Sequence, residues 1–596
     1  MTVHQGDLSL ACAAALVDGL VAGGVRHACL SPGSRSTPLA LALSRHDGIE
    51  LHIQLDERSG AFVAVGIAKA SGKPVIVATT SGTAVAELLP AVIEASQARI
   101  PLLVLTADRP PRLRGTGANQ TIVQPGIFGG YVRASLDLPV PAAEGQEAWW
   151  RQAAREAIGA IADGPIGPVH LNCPFEEPLM PSAPAARSVP ITGDDVRDPA
   201  ERVAHALDAA EIERLAEAVS GARGAVVVGG HPAYVSAETA PWSRLLGWPV
   251  LAEPTSNARR RGEALEAGQS LIANAGWLEA HRPEVVIQLG AAPTTRATQA
   301  FVASTDRLLV ADRWHLDPDP DHLAWWRLVV DPEALTDALT GHPVVQAGAA
   351  IALTGRRSHE EIEALWSRRI DPAPTEWTAA WRAADETVRR AIDEQMDGWE
   401  EPFEPRIARD VAAWVPDGGH LFVGNSTPVR DLDLAMAPRD GLTVLANRGA
   451  SGIDGLVSTA VGVAVARPHP PTLALLGDLS FLHDAGAVLW AGRGNVDLVV
   501  VVVNNRGGHV FDLLPQRELP EHERLFVTPH EVDLARLCAA AGAGHERVER
   551  ASDLPPALDR AAGAGGLRVI EVVVDPELGL RRRAELRDAI DRALTR

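Results

Sequence analysis

Through most of the chain, short apolar runs alternate with longer stretches of helix-forming composition. His52–Leu55, Pro74–Ala78 and Leu102–Leu105 read as buried strands, with helices over Ser59–Lys69 and Ala84–Ser96 between them. Alternation at this spacing requires right-handed crossovers and a parallel sheet covered on both faces. Pro165–Pro174 closes this part with another strand, and Pro178–Val189, rich in Pro, Ala and Ser, reads as a linker. A second block has its strands at Gly224–Gly230, Pro249–Ala252, Val285–Gly290 and Leu308–Asp312. His342–Trp399, rich in Ala, Glu and Arg, reads as a helical connection. A third block begins near Pro405, with strands at Leu421–Val423, Thr443–Leu445, Thr472–Leu476, Val496–Val503 and Val569–Val574. The pattern predicts an α/β protein of three successive domains with mainly parallel sheets, over residues 1–185, 195–355 and 385–596.

Composition narrows the setting. At 596 residues the chain is too long for one core. A net charge of -21 argues against a nucleic-acid surface, though a local arginine cluster can still hold an anionic substrate. Cys12, Cys29, Cys173 and Cys538 are scattered and form no CxxC pair, which suits a reducing compartment without disulfides or structural zinc. No basic flank precedes the first apolar stretch, and Leu10–Val17 is far too short to span a bilayer. A cytoplasmic protein without membrane partners is expected.

The sharpest chemical signal is Gly477-Asp478-Leu479, separated by 24 residues from Asn504-Asn505. Asp478 and Asn505 end consecutive apolar strands, so in a parallel sheet their oxygens meet at one edge. A carboxylate and a carboxamide are hard ligands of the kind Mg²⁺ takes together with phosphates and water. Gly507 and Gly508 allow a sharp turn, from which the Gly507 carbonyl is a further candidate ligand. Strand-terminal Asp and Asn are also common turn formers and helix caps, which is the competing reading. Glu57 likewise stands where a helix starts, and the helix dipole alone favours a carboxylate there.

Together these residues resemble the thiamine-diphosphate enzymes, whose signature is GDG, about 25 residues, then NN; Leu479 replaces the last glycine. The resemblance implies Asp478, Asn505 and Gly507 as ligands of Mg²⁺ (or Mn²⁺), and Ser81, Gly82, Leu479 and Ser480 beside the cofactor. It makes Ile453 the bulky residue that holds the cofactor bent. It makes Glu57 a buried carboxyl of raised pKa that hands a proton to the aminopyrimidine. Because Glu57 and Asp478 lie in different blocks, which in this superfamily usually come from different subunits, a homodimer or homotetramer is implied.

Six strings narrow the family further. They are Ser31–Leu39 (SPGSRSTPL), Ala107–Pro111 (ADRPP), Thr116–Thr121 (TGANQT), Asn447–Gly455 (NRGASGIDG), Gly477–Asp484 (GDLSFLHD) and Asn504–Pro515 (NNRGGHVFDLLP). In this order they resemble the 2-succinyl-5-enolpyruvyl-6-hydroxy-3-cyclohexene-1-carboxylate (SEPHCHC) synthase family. That implies decarboxylation of 2-oxoglutarate and addition of the remaining succinyl unit to isochorismate, in menaquinone biosynthesis. Both substrates are dicarboxylates, and the implied partners are Ser34, Arg35, Asn119, Gln120, Arg296, Asn425, Ser426, Arg430 and Arg448. Phe511 and Leu514 form the implied apolar wall, with Phe511 also against the cofactor. Thr295 stands where the family often has lysine, which weakens the clamp at Arg296. Some relatives bind a naphthoate inhibitor near Arg99; a surface arginine is the competing reading. An acetolactate synthase or another thiamine-diphosphate 2-oxo acid decarboxylase is the nearest rival. A nicotinamide dehydrogenase is disfavoured, because no GxGxxG lies between a strand and a helix.

Overall fold

A computed structural model describes residues 4–163, 165–183, 207–230, 240–244, 246–313, 318–331, 334–335, 370–494 and 496–595. Its strands form three sheets, parallel throughout. The first contains β1 (His27–Leu30), β2 (Glu50–Ile53), β3 (Val75–Thr79), β4 (Leu102–Asp108), β5 (Ala134–Asp137) and β6 (Val169–Pro174), in the order β2-β1-β3-β4-β6-β5. The second contains β7 (Gly224–Val228), β8 (Val250–Ala252), β9 (Val285–Leu289), β10 (Leu308–Ala311) and β11 (Trp326–Leu328), ordered β11-β10-β9-β7-β8. The third contains β12 (Gly419–Val423), β13 (Leu442–Leu445), β14 (Thr472–Gly477), β15 (Leu498–Asn504), β16 (Gly544–Val548) and β17 (Leu567–Val573), ordered β13-β12-β14-β15-β17-β16.

Counted from its own first strand, the third sheet repeats the order of the first. Each therefore has a switch point, between β1 and β3 in one and between β12 and β14 in the other. In an open parallel sheet such a point leaves a crevice beyond the carboxyl ends of the strands, where ligands bind. The central strands β4 and β15 are buried along their whole length, and their segments Leu102–Leu105 and Leu498–Val503 read as continuous apolar runs.

Two helices join the twin sheets. Glu57–Ser71 and Leu456–Ala466 contribute Val63, Ile67, Val457 and Val463 to one shared apolar cluster. Their contact depends on two glycines. A Cβ on Gly66 would stand 2.1 Å from the Thr459 carbonyl oxygen, and one on Gly462 would stand 2.1 Å from that of Val63. Backbone cannot yield as a side-chain tip can, so Gly66→Val must separate the helices. We expect it to cost several kcal/mol, in the range of severe overpacking. Chemical denaturation will register this as a lowered midpoint, and an unchanged midpoint would refute the tight approach.

Two expectations need adjustment. The helix over Ala84–Ser96 is two helices, Thr83–Ala86 and Leu89–Gln97. Pro90 explains the break, since it donates no N–H and its ring clashes with the carbonyl one turn earlier. A domain start at residue 385 would cut one continuous helix, Thr375–Asp397, whose Trp377 and Trp381 are buried in the second sheet's core. Of the expected linker and connection, residues 184–189 and 342–369 lie outside the described residues. By length and composition alone, Gln5–Ala22 is apolar enough to cross a membrane. It lies against Glu147–Asp163 and places Leu16, Val17 and Leu20 in the first sheet's core.

Candidate active site

The switch point of the third sheet opens into a cavity of about 230 Å³. Asn425 and Ser426 enter it after β12, Asp478, Leu479 and Ser480 after β14, and Asn505, Gly507 and Phe511 after β15, with Ile453 beside them. Asp478 is 2% exposed. Its carboxylate accepts from the Leu479 N–H at 2.6 Å and the Gly507 N–H at 3.0 Å, and His530 Nε2 lies 3.3 Å away. Burial pushes its pKa up. A buried carboxylate and a neighbouring carboxamide, with the Gly507 backbone drawn against them, suit a hard cation such as Mg²⁺. The same cavity receives the N-terminus of the helix Thr427–Ala435, where free N–H groups and the helix dipole favour a phosphate. The residues present therefore fit a metal-bound diphosphate.

Local conformation explains two sequence features here. Leu479 is the second residue of the helix Asp478–His483, a position with no need of glycine, so its departure from the GDG pattern leaves the backbone unaffected. Ser426 has φ 73°, a strained value for a non-glycine residue, of a kind concentrated at ligand sites. The Asn425 carboxamide is committed within the protein. Its Nδ2 donates to the carbonyls of Asn447 and Gly452, both at 2.7 Å, and its Oδ1 accepts from Arg448 at 3.0 Å. It thus holds the loop that carries Arg448 and Ile453.

The first sheet presents a second constellation at its own switch point. Ser34 is exposed and Arg35 buried in the loop after β1, while Ser81 and Gly82 follow β3. Arg35 donates to the Phe175 carbonyl at 3.0 Å and to Glu177 at 2.8 Å, leaving its buried Nε without a partner. Arg109, absent from the sequence-based candidates, donates to Ser81 Oγ and to the Gln120 carbonyl. Gln120 Nε2 donates to the Ser81 carbonyl at 2.9 Å, and Asn119 is exposed on the same loop. Gly82 has φ 88°, and a Cβ there would meet Gln120 Cγ at 2.9 Å, so both conformation and space call for glycine.

Other candidates are dispersed. Arg448 reaches Thr294 Oγ1 at 3.5 Å as well as Asn425, and burial depresses its pKa. Thr294 in turn donates from its N–H and hydroxyl to Glu253, a buried carboxyl pushed up to about 7 by desolvation and by nearby Asp433. This network ties the second sheet to the third, and Glu253 had no signal in the sequence. Arg430 and Leu514 line a different groove, of about 1000 Å³, with Arg517 and Arg583. Arg296 is exposed at the start of the helix Arg296–Val302, capped by Thr295 Oγ1 accepting from the Thr298 N–H. Threonine in place of lysine thus serves that helix. Arg99 is buried rather than superficial, in a two-pronged pair with Asp312 at 3.1 and 3.2 Å.

Glu57 is the first residue of its helix, with Asp56 capping the Ser59 N–H at 3.0 Å. It is half-buried, not buried as expected, and the apolar residues before it are open. Leu55 is 69% exposed and Ile53 44%.

Comparison with known proteins agrees with this geometry. The family model "Thiamine pyrophosphate enzyme, N-terminal TPP binding domain" matches residues 11–127, and its "C-terminal TPP binding domain" counterpart matches residues 433–572. Among similar proteins is the SEPHCHC synthase of Thermobifida fusca, 41% identical over 98% of this chain and 99% of that one. Those of Chloroflexus aurantiacus (39%, covering 94% and 92%) and Saccharopolyspora erythraea (38%, covering 98% of each) are also similar. The chain belongs to the SEPHCHC synthase family. The first matched region holds Ser34, Arg35, Ser81 and Gly82, and the second holds Asp478, Asn505 and Gly507, while Asn425 and Ser426 precede it.

Proposed function

We propose that this SEPHCHC synthase family member decarboxylates 2-oxoglutarate and adds the remaining succinyl unit to isochorismate, forming SEPHCHC in menaquinone biosynthesis. The observation that carries the reading is the pair of twin switch points: one has a hard-oxygen cradle at Asp478 and Asn505, the other buried and half-buried arginines. Thiamine diphosphate, when bound, supplies the electron sink that lets a 2-oxo acid lose CO₂. In this reading Asp478, Asn505 and the Gly507 carbonyl hold Mg²⁺ (or Mn²⁺) against the diphosphate. Ile453, Leu479, Ser480 and Phe511 enclose it, with Ser81 and Gly82 on the pyrimidine side. Arg35, assisted by Ser34, Asn119 and Gln120, is assigned to substrate carboxylates, because guanidinium forks fix such groups in orientation. Arg448 and Ser426 face the same chemistry from the third sheet, with Asn425 as a positioning residue. Arg430, Leu514 and Arg296 keep a substrate role only if a second chain completes their surroundings.

We further propose a homodimer or homotetramer whose sites use two chains. The cavity of about 230 Å³ is smaller than the roughly 300–1,000 Å³ that encloses an ordinary small ligand, and the apolar residues flanking Glu57 are open. A three-domain division, a cytoplasmic location and an absence of nucleic-acid or membrane partners complete the reading. Incubation of purified protein with thiamine diphosphate, Mg²⁺, 2-oxoglutarate and isochorismate tests it. Mass spectrometry should detect SEPHCHC and require both substrates. Acetolactate from pyruvate alone, with no SEPHCHC, would favour the acetolactate-synthase reading instead.

A further inference from the structure

At the free edge of the first sheet, just before the helix of Glu57, three polar side chains converge. β2 pairs in parallel with β1, placing His27 opposite Glu50 and Cys29 opposite His52. Side chains alternate along a strand, so His27, Glu50 and His52 all stand on one face. His27 Nδ1 lies 3.2 Å from His52 Nε2, 3.6 Å from one Glu50 oxygen, and the other Glu50 oxygen lies 3.8 Å from His52 Nε2. The ligand atoms of all three lie within 4.8 Å of one another.

We propose that His27, Glu50 and His52 form a binding site for a divalent transition metal of the Zn²⁺ class, separate from the Mg²⁺ site at Asp478. Zinc bonds of about 2.0–2.1 Å at tetrahedral angles hold two imidazole nitrogens roughly 3.3 Å apart. The observed 3.2 Å is already that spacing. Glu50 must close by a few tenths of an ångström, and its side chain is free to do so, being 65% exposed against 20% and 14% for the two histidines. Two imidazoles and one carboxylate leave a fourth position for water, and this donor set selects Zn²⁺, Co²⁺ or Ni²⁺ over the oxygen-seeking Mg²⁺. Access exists, because Glu50 and His52 line an open cleft of about 680 Å³ that also holds His469, Trp490 and Asp497. A metal here would fasten the edge strand that runs directly into the Glu57 turn. Trp490 Nε1 already donates to the Ile53 carbonyl at 2.7 Å on the same strand.

The test uses untagged full-length protein saturated with thiamine diphosphate and excess Mg²⁺. Calorimetric titration with Zn²⁺ should give one site per chain that excess Mg²⁺ does not displace, and Co²⁺ should show the intense visible bands of four-coordination. His27→Gln and His52→Gln should each weaken Zn²⁺ binding at least about 100-fold, since even partners of ligands are worth 10–100-fold. If either histidine variant fails to fold, judged by circular dichroism, Glu50→Gln at the exposed position should still weaken binding and abolish the Co²⁺ bands' wild-type pattern. Asp478→Ala should leave Zn²⁺ affinity unchanged. The proposal is overturned if Zn²⁺ binding is absent, if it survives the histidine changes, or if it disappears with Asp478→Ala. In the first of these cases the two imidazoles share only a hydrogen bond.

Discussion

Glu57→Gln should abolish turnover while leaving the cofactor bound. The substitution keeps the size and most of the hydrogen-bonding shape of the side chain and removes only its acid. Asp56 still caps the helix through the Ser59 N–H, so the local backbone has no reason to move. Nor does Glu57 touch the Asp478 cavity, so the diphosphate cradle is untouched. A positioned acid–base group is typically worth about 10²–10⁴-fold in rate, and a loss in that range is expected in SEPHCHC formation. Cofactor affinity, measured by calorimetry with Mg²⁺ present, should stay within about threefold, well under the 1.4 kcal/mol of a tenfold change. The decisive measurement is hydrogen–deuterium exchange at C2 of the bound cofactor. Exchange at the wild-type rate in Glu57→Gln would remove Glu57 from the proton path, whatever the loss of turnover.

How the fold could be read from the sequence depended on where each strand lies. β4, β14 and β15 are central, and their segments Leu102–Leu105, Leu473–Leu476 and Leu498–Val503 are buried and apolar without interruption, so they stood out at once. β5 and β16 escaped because they are edge strands with polar, half-exposed faces, Ala134–Asp137 and Gly544–Val548. β11 is another edge strand, of only three residues, and β1 is a four-residue strand containing a histidine and a cysteine. The identical strand order of the first and third sheets left no trace in the sequence, since topology constrains patterning and not residue identity.

The site was legible where its chemistry is local. Asp478, Asn505 and Gly507 lie in two short strings at the ends of paired strands, so the sheet itself brings them together. Glu253 and His530 were not legible, because each acts through a neighbour remote in sequence, Thr294 and Asp478 respectively, while Arg109 lay within the ADRPP string but without its bond to Ser81 being readable from it. Arg430 shows the converse. It follows Ser426 by four residues and does donate to the Ser426 carbonyl, yet the helix carries its side chain into the groove of Leu514. Neighbourhood in sequence fixed the backbone position and not the direction of the side chain.

Asp478→Ala should weaken thiamine diphosphate binding at limiting Mg²⁺ more than any other single change in the cavity. The carboxylate is held almost out of solvent against its own tendency, since burial raises its pKa, and among the described residues two N–H groups and His530 face it. Such an arrangement is stable in use when a cation completes it. With alanine the metal loses its anionic ligand, and the Leu479 and Gly507 N–H groups lose their acceptor. Hydrogen bonds to charged groups are worth about 1.5–3 kcal/mol each, so a loss of one to two orders of magnitude or more in cofactor affinity is expected. Asp478→Asn separates charge from shape, because it keeps an acceptor oxygen for one N–H while removing the negative charge. Its affinity should fall between wild type and alanine and recover partly when Mg²⁺ or Mn²⁺ is raised. Titrations of all three proteins across a range of Mg²⁺ concentrations decide the matter. Equal cofactor affinity in wild type and Asp478→Ala at limiting Mg²⁺ would mean that the carboxylate serves the 507 turn alone and that the metal is held elsewhere.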